Sequence, residues 1–172
     1  TGKTTLSYGL LLDKRTRLVS DDWFYARILD DVVLCRASEK NVYIRASIQN
    51  TYPEFKRVLS GTKLDEGGRG IIDIGDLLGG TKKADSTVMA NTVFLERNPG
   101  DEVFYEMGVN EAIDYLMAHN FCNPHMLISD ERKVGIRKRF FKDFFERTNI
   151  FMLNTIESPE ESLSRLKELI RR

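Results

Sequence analysis

The chain has 172 residues, a length that suits one domain with a core of its own. Hydrophobic residues make up 41% and charged residues 30%, a composition that excludes an intrinsically disordered protein. Basic and acidic residues number 26 each, so the zero net charge gives no general attraction to nucleic acid or to an anionic membrane.

Other features of the sequence narrow the class of protein further. No apolar run reaches the roughly 18 residues that span a bilayer, and no signal peptide opens the chain, so we expect a cytoplasmic protein. Cys35 and Cys122 are isolated, as are His119 and His125. This argues for reduced thiols and against a zinc site, a disulfide framework or a catalytic histidine. Because the chain starts inside a motif and without methionine, we expect the N-terminal part of the domain to be missing.

In chain order, the first half predicts a helix, several strands and a glycine-rich loop. Residues 3–12 predict a helix, and 17–20 a short strand that ends at two aspartates. Residues 32–48 contain two β-rich runs around the polar turn "SEKN", which predicts a hairpin. Residues 51–61 predict a short helix, and 62–70, with three glycines in nine residues, predict a loop.

The second half alternates strands and helices. The pattern predicts a brief strand or helical turn at 71–80, an interior strand at 87–98, and a helix at 108–121 with Asn110 as its cap. It then predicts a helix at 132–149 with one aromatic face from Ile136 to Phe145, and a strand at 150–153. The final helix has Ser158 as cap, and Glu161 completes a capping box. Strands and helices intermix without repeats or linkers. We therefore predict a single α/β domain over 1–172, with a mixed β-sheet flanked by helices.

The opening "TGKTT" matches the closing half of the phosphate-binding loop G-x-x-x-x-G-K-[ST]. In that motif backbone N–H groups wrap the phosphates, the lysine reaches the β and γ oxygens, and the hydroxyl binds magnesium. Gly2, Lys3 and Thr4 supply these three roles, and a helix N-terminus adds to an anion site. The alternative is an ordinary helix that starts at a glycine and carries a surface lysine.

A pair of aspartates follows at the distance that such a site requires. Asp21 comes eighteen residues after Lys3, at the end of "LVSDD". A carboxylate there holds magnesium near the γ-phosphate, and the adjacent Asp22 is a candidate base toward an acceptor hydroxyl. The alternative is a solvated turn or a helix cap.

These segments carry a family resemblance. "TGKTTLS" followed by "LVSDD" resembles the nucleotide site shared by HPr kinase/phosphorylase and phosphoenolpyruvate carboxykinase. Residues 64–80, "LDEGGRGIIDIGDLLGG", resemble the HPr kinase signature L-E-[IV]-R-G-L-G-I-I-[DN]-V and the L-F-G that follows it. Gly67 stands where the family has arginine, and Arg69 where it has leucine. "TVFLERN" resembles the family strand that ends in L-E, so the resemblance covers 1–96.

The resemblance implies an ATP-dependent kinase with a phosphoenolpyruvate carboxykinase-like P-loop fold. Such a kinase phosphorylates a serine-type hydroxyl of a protein or a small molecule, and family members often form homo-oligomers. Carried onto this chain, the triphosphate would be bound by Thr1, Gly2, Lys3, Thr4 and Thr5. Thr4 and Asp21 would hold Mg²⁺, and Asp22 would be the base. Asp65 and Arg69 would face the transferring phosphate, unless their loop is a plain surface turn.

Two other functions stay open at this point. A non-catalytic nucleotide-binding regulatory module is favoured by Gly67 in place of the family arginine. A phosphoenolpyruvate carboxykinase-like enzyme would need further metal-binding lysine and histidine residues and a large substrate domain. Lys82 or Lys83 is a candidate for a substrate phosphate, although a solvated loop is the simpler interpretation.

Overall fold

The computed structural model describes residues 2–73, 75–76, 79–119 and 130–171. Thr1, Cys122 and His125 lie outside the described residues. The strands are β1 (Phe24–Leu29), β2 (Val32–Ala37), β3 (Asn41–Arg45), β4 (Arg69–Asp73), β5 (Ser86–Val88), β6 (Asn91–Glu96), β7 (Phe104–Glu106) and β8 (Asn149–Asn154). The α-helices are α1 (Lys3–Leu11), α2 (Ile48–Thr51), α3 (Lys56–Ser60), α4 (Val109–Ala118), α5 (Glu131–Phe145) and α6 (Pro159–Arg171).

The described strands form three small sheets. In one of them β8 lies in the centre, parallel to β6 and antiparallel to β7. A second sheet has the antiparallel order β1-β2-β5, and the third is the antiparallel pair β3-β4. The α/β class predicted from the sequence is therefore confirmed. Among the described helices, none is long and apolar enough to cross a bilayer.

The sheet around β8 is packed on both faces. Ile150 and Met152 belong to one buried cluster, which contains residues of α4 and α5. Leu153 belongs to the other, which contains residues of α1 and α6. Since successive side chains of a strand point to opposite faces, this alternation places a helical layer on each side of the sheet.

Helix α1 lies close to its neighbours because Gly9 has no side chain. A Cβ atom at Gly9 would stand 2.9 Å from Cδ2 of Leu163 and would overlap the Tyr52 hydroxyl. Leu6 and Leu11 of the same helix are buried in the core. A helix of nine residues is marginal in water, so this packing stabilises it more than its own propensity does.

The two C-terminal helices agree with the sequence pattern in most respects. In α6 the predicted capping box is confirmed, because Ser158 N–H donates to the Glu161 carboxylate at 2.9 Å and Glu161 N–H donates to Ser158 Oγ at 3.2 Å. In α5 Phe144 and Phe145 are buried, but Ile136 is 45% exposed, so the aromatic face begins one turn later than predicted.

Helix α4 starts inside the predicted range, but the predicted cap at Asn110 is wrong. Its N-cap is Gly108, and Asn110 lies inside the first turn. The Glu111 carboxylate accepts the Gly108 N–H at 3.2 Å, which satisfies the end of the helix without a side-chain oxygen at Asn110.

The hairpin predicted over residues 32–48 is wrong. β2 pairs with β1 and β5, whereas β3 pairs with β4. The polar segment between them is not a tight turn, since Ser38 Oγ donates to the Trp23 carbonyl and Glu39 Oε2 accepts the Asp22 N–H at 3.0 Å. These contacts hold the segment against residues 20–23, and the two strands enter different sheets.

Two other strand predictions need correction. Residues 17–20 form no strand, because Leu18 makes only a single parallel bridge, to Lys83. Residues 87–98 do not form one interior strand but divide into β5 and β6, which belong to different sheets. The central strand in the sheet of β6 is β8, and β6 lies at an edge among the described strands.

The Lys82 side chain is not solvated, contrary to the simpler interpretation of its loop, but bonds to the backbone at the end of α1 and after it. Its partly buried ammonium donates to the carbonyl oxygens of Leu11 at 2.7 Å, of Asp13, and of Thr16 at 3.3 Å. A cation is favoured at a helix C-terminus, where carbonyl groups are otherwise unpaired. Lys82 therefore ends α1 and fixes the turn that follows it.

We predict that Lys82→Met destabilises the protein by about 2 kcal/mol, because three carbonyl groups lose hydrogen bonds to a charged donor. Methionine keeps the apolar stem, so packing changes little. Urea unfolding followed by circular dichroism measures the change, with Lys83→Met as the matched control. Equal unfolding midpoints for the two variants would contradict the role of Lys82.

Candidate functional site

Lys3 and the two aspartates meet at the N-terminus of α1. The Lys3 ammonium lies 3.0 Å from Asp21 Oδ1 and 2.7 Å from Asp22 Oδ1, and it also donates to the Asp21 carbonyl at 3.2 Å. The sequence predicts these three residues as parts of one site, and the structure brings them together. Both carboxylates thus point at a single positive charge.

The Asp21 side chain is only 3% exposed, whereas those of Lys3 and Asp22 are 46% and 45% exposed. Asp21 Oδ2 accepts the backbone N–H of Tyr43, the third residue of β3, at 3.2 Å. Each oxygen of this buried carboxylate therefore has a partner, as a buried charge requires. The arrangement fixes the end of the 17–22 segment between α1 and β3.

The N-terminus of α1 begins at a glycine with a positive φ. Gly2 has a φ of 75°, which favours glycine, and its carbonyl accepts the Leu6 N–H at 3.0 Å. Thr4 and Thr5 occupy the first turn, where backbone N–H groups have no partner inside the helix. A Cβ at Gly2 would stand 3.7 Å from Thr155 Cγ2, just beyond the end of β8.

The N-terminus of α1 lies beside one end of the sheet that contains β6 and β8. β6 and β8 are parallel, and ligands of α/β proteins bind at the carboxyl ends of parallel strands. The N-terminus of α1 lies at that end.

The charges of the site affect two pKa values. Burial by itself would lower the pKa of Lys3, but hydrogen bonds to Asp22 and Asp21 and their negative charges raise it overall. The pKa of Tyr8, on α1, is raised by burial and further by the same two carboxylates. Lys3 is therefore positive and Tyr8 neutral at physiological pH.

The glycine-rich loop is a tight turn. Asp65 Oδ1 accepts the N–H groups of Gly67 at 2.9 Å and of Arg69 at 2.8 Å, and Arg69 Nε donates to Asp65 Oδ2 at 3.1 Å. Gly68 has a φ of 69°. The backbone hydrogen bond from Arg69, its charge and its side-chain bond lower the pKa of Asp65. The side chains of Asp65 and Arg69 thus bond within this turn, and the catalytic role of these two residues stays a prediction.

A cavity of about 750 Å³ opens beside this turn. Asp65, Arg69 and Lys63 line it together with Asp73 and Tyr43. Tyr43 is the residue that this cavity shares with the carboxylate pair, because its backbone N–H donates to Asp21. Its size falls in the range of roughly 300 to 1,000 Å³ that is typical of small-molecule sites.

The donor set fits a magnesium ion bound together with phosphate. Among the described residues there is no cluster of three or more histidine, cysteine or acidic side chains that would form an all-protein metal site. Magnesium is usually bound by one or two carboxylates plus substrate phosphates and water. Asp21 and Asp22 already direct one oxygen each at the same cation, the Lys3 ammonium. Thr4 adds a hydroxyl on the first turn of α1.

Several residues of the site have no signal in the sequence. Tyr43 contributes only its backbone N–H, which any residue except proline provides. Glu39 accepts the N–H groups of Asp22 at 3.0 Å and Trp23 at 3.4 Å, but it lies seventeen residues from the aspartate in a stretch that resembles an exposed turn. Of the isolated residues, Cys35 is buried with a free thiol, and His119 lies at the end of α4.

No protein-family model matches the chain, and no curated protein matches it significantly.

We predict that Lys3→Met lowers the free energy of unfolding at pH 7 by about 1 kcal/mol, the level of a partly exposed ion pair. Because the folded-state pKa of Lys3 lies above the ordinary value of 10.5, this contribution is complete below that pH. It is lost as the pH rises through the folded-state pKa.

Urea unfolding of wild type and Lys3→Met at pH 7, 9 and 11 tests this pH dependence. The two proteins should differ in their free energies of unfolding by about 1 kcal/mol at pH 7 and at pH 9. Lys14→Met, an exposed lysine after α1, is the control. A difference between wild type and Lys3→Met that grows above pH 10.5 would have the wrong sign.

Proposed function

We propose that this chain binds a magnesium nucleoside triphosphate at the N-terminus of α1 and transfers its terminal phosphoryl group to a hydroxyl. The observation that carries the proposal is the shared contact of Lys3 with Asp21 and Asp22. A lysine from a phosphate-binding motif and two carboxylates that converge on one cation are the parts such a reaction needs. The resemblance to HPr kinase supports a serine-type hydroxyl as acceptor.

The chemistry assigns a different task to each side chain. Lys3 and the N–H groups of the first turn bind phosphate oxygens, with Thr4 and Thr5 in that turn. Asp21 and Thr4 would hold Mg²⁺, which when bound neutralises charge on the β and γ oxygens. Asp21 is buried and tied to β3, so its position is fixed, as a metal ligand requires.

Asp22 is half-exposed and suits proton transfer. The acceptor oxygen forms a bond to the γ-phosphorus, and the bond from that phosphorus to the β-γ bridging oxygen breaks. The electron pair leaves with the nucleoside diphosphate, and Asp22 takes the proton of the hydroxyl. In this proposal the cavity beside Tyr43 holds the acceptor, with Asp65 and Arg69 at its wall.

A second candidate function is a nucleotide-binding module without catalysis. The pairing of Arg69 with Asp65 favours it, because the guanidinium is engaged within its own turn. Such a protein would bind the nucleotide and transfer no phosphoryl group. Turnover measurements distinguish the two functions.

We predict that magnesium and nucleotide bind cooperatively. Lys3 contacts both carboxylates, so it reaches a phosphate freely only when another cation replaces it there. Calorimetric titration with ATP, with and without Mg²⁺, should show at least about tenfold tighter binding with the metal, within the usual range of coupling between sites. Equal affinity in the two titrations would contradict the shared site.

We predict that Asp21→Asn and Asp22→Asn differ in their effects. Asp21→Asn should lose the magnesium-dependent part of ATP binding and its turnover together. Asp22→Asn should keep most of the binding and lose about 100-fold or more in turnover, the usual contribution of a general base.

ADP release under single-turnover conditions, with water as the acceptor, measures the reaction, and calorimetry measures binding. Asp114→Asn, on the exposed side of α4, is the matched control. Full activity in Asp21→Asn would remove its metal role, and wild-type binding without any turnover would select the non-catalytic module.

A further inference from the structure

A second, smaller cavity of about 170 Å³ opens beside the N-terminus of α1. It is lined by Thr5, Leu6, Arg97, Thr155, Pro159 and Ser162, among others. Its walls come from the first turn of α1, the end of β6, the end of β8 and the start of α6. It therefore lies at the carboxyl ends of two parallel strands, next to the phosphate-binding turn.

Ser162 gives this cavity a buried hydroxyl group that is available to a ligand. It is only 1% exposed, and its Oγ has no hydrogen-bond partner among the described residues. A serine inside a helix commonly donates its hydroxyl to the carbonyl three or four residues earlier, in addition to the backbone hydrogen bond there, but the Ser162 hydroxyl makes no such bond. A buried hydroxyl without a partner is costly, and residues that keep one often serve a ligand.

The other walls combine apolar surface with fixed polar groups. Leu6 and Pro159 provide apolar contacts, and Arg97 presents an exposed guanidinium. Glu157 accepts two hydrogen bonds from Arg165, both at 2.7 Å, so its charge is neutralised and its position fixed. A heterocyclic base is held by features of this kind: apolar contacts with its faces, an arginine guanidinium stacked on it, and hydroxyl groups at its edge.

We propose that this cavity receives the nucleoside end of the bound nucleotide, with Ser162 hydrogen-bonding the base or its sugar and Arg97 covering one face. The inference rests on the proposed function, because it requires the phosphates to lie on the first turn of α1. Thr5 follows Lys3 by two residues, so the two side chains leave the helix on nearly opposite sides. A nucleotide whose reacting phosphate lies at Lys3 and Asp22 thus extends across the turn toward Thr5.

The size of the cavity agrees with this assignment. A volume of about 170 Å³ is smaller than the roughly 300 to 1,000 Å³ of sites that enclose a whole ligand. It suits one end of a nucleotide, while the phosphates occupy the turn outside.

Calorimetric titrations with Mg-ATP and with Mg-tripolyphosphate test the proposal, because the second compound has the phosphates without a nucleoside. Wild type should bind Mg-ATP more tightly. Ser162→Ala should weaken Mg-ATP binding about three- to tenfold, the range for one hydrogen bond, and leave tripolyphosphate binding unchanged. Arg97→Ala should act in the same direction, and Ser164→Ala, exposed on the same helix, should change neither.

Ser162→Ala removes an unpartnered buried hydroxyl and leaves a residue with high helix propensity, so its thermal unfolding midpoint should equal or exceed that of wild type. A loss of ATP affinity with undiminished stability is a result that a purely structural role of Ser162 does not give.

Failure of this inference differs from failure of the proposed function. The nucleoside does not lie in this cavity if wild type binds ATP and tripolyphosphate equally, or if Ser162→Ala and Arg97→Ala both bind ATP like wild type. The phosphate site stands in either case.

The phosphate site fails if Lys3→Met binds both compounds as tightly as wild type, or if neither compound binds to wild type. The nucleoside assignment then fails with it.

Discussion

The buried carboxylate of Asp21 is the constraint on which the arrangement of the site depends. A charge with a side chain only 3% exposed needs a partner for each oxygen, and the partners come from α1 and β3. Satisfying this one group holds together three parts of the chain, the helix, the segment before β1 and the pair β3-β4. Asp22 is left half-exposed beside it, so the same contact produces one fixed and one accessible carboxylate.

Helix α1 has a lysine ammonium at each end, and the two have opposite relations to the helix dipole. At the C-terminus Lys82 binds carbonyl groups, where a cation is favoured. At the N-terminus Lys3 adds positive charge to the positive end of the dipole, and the two aspartates offset it. In the proposed function those carboxylates turn to a magnesium ion, and the lysine and the helix dipole together then attract phosphate. The two aspartates would thus neutralise this end of the helix until the metal binds.

The local features of the fold are predictable from the sequence, and the long-range pairings are not. The capping box of α6 follows from Ser158 and Glu161 because both bonds close within one turn. The proximity of Lys3 to the aspartates was predicted because a known motif relates them. The pairing of β2 depends on the burial of Val33 in the cluster that also contains Ile150 and Met152, and no local pattern reveals this contact. Tyr43 acts through its backbone and Ser162 resembles any helical serine, so neither was predicted.

Helix α1 and its packing partner α6 are far apart in the sequence, and Gly2 lies beside Thr155. The candidate site therefore closes a loop that spans nearly all the residues described. Contacts of such long sequence separation form late, because the entropy of closing the loop must be lost before they can stabilise anything. During synthesis α1 leaves the ribosome before β8 and α6, and it gains these packing partners only once they have followed. A fragment that ends before β8 has the residues Lys3, Asp21 and Asp22 but lacks the packing that fixes α1 against the sheet.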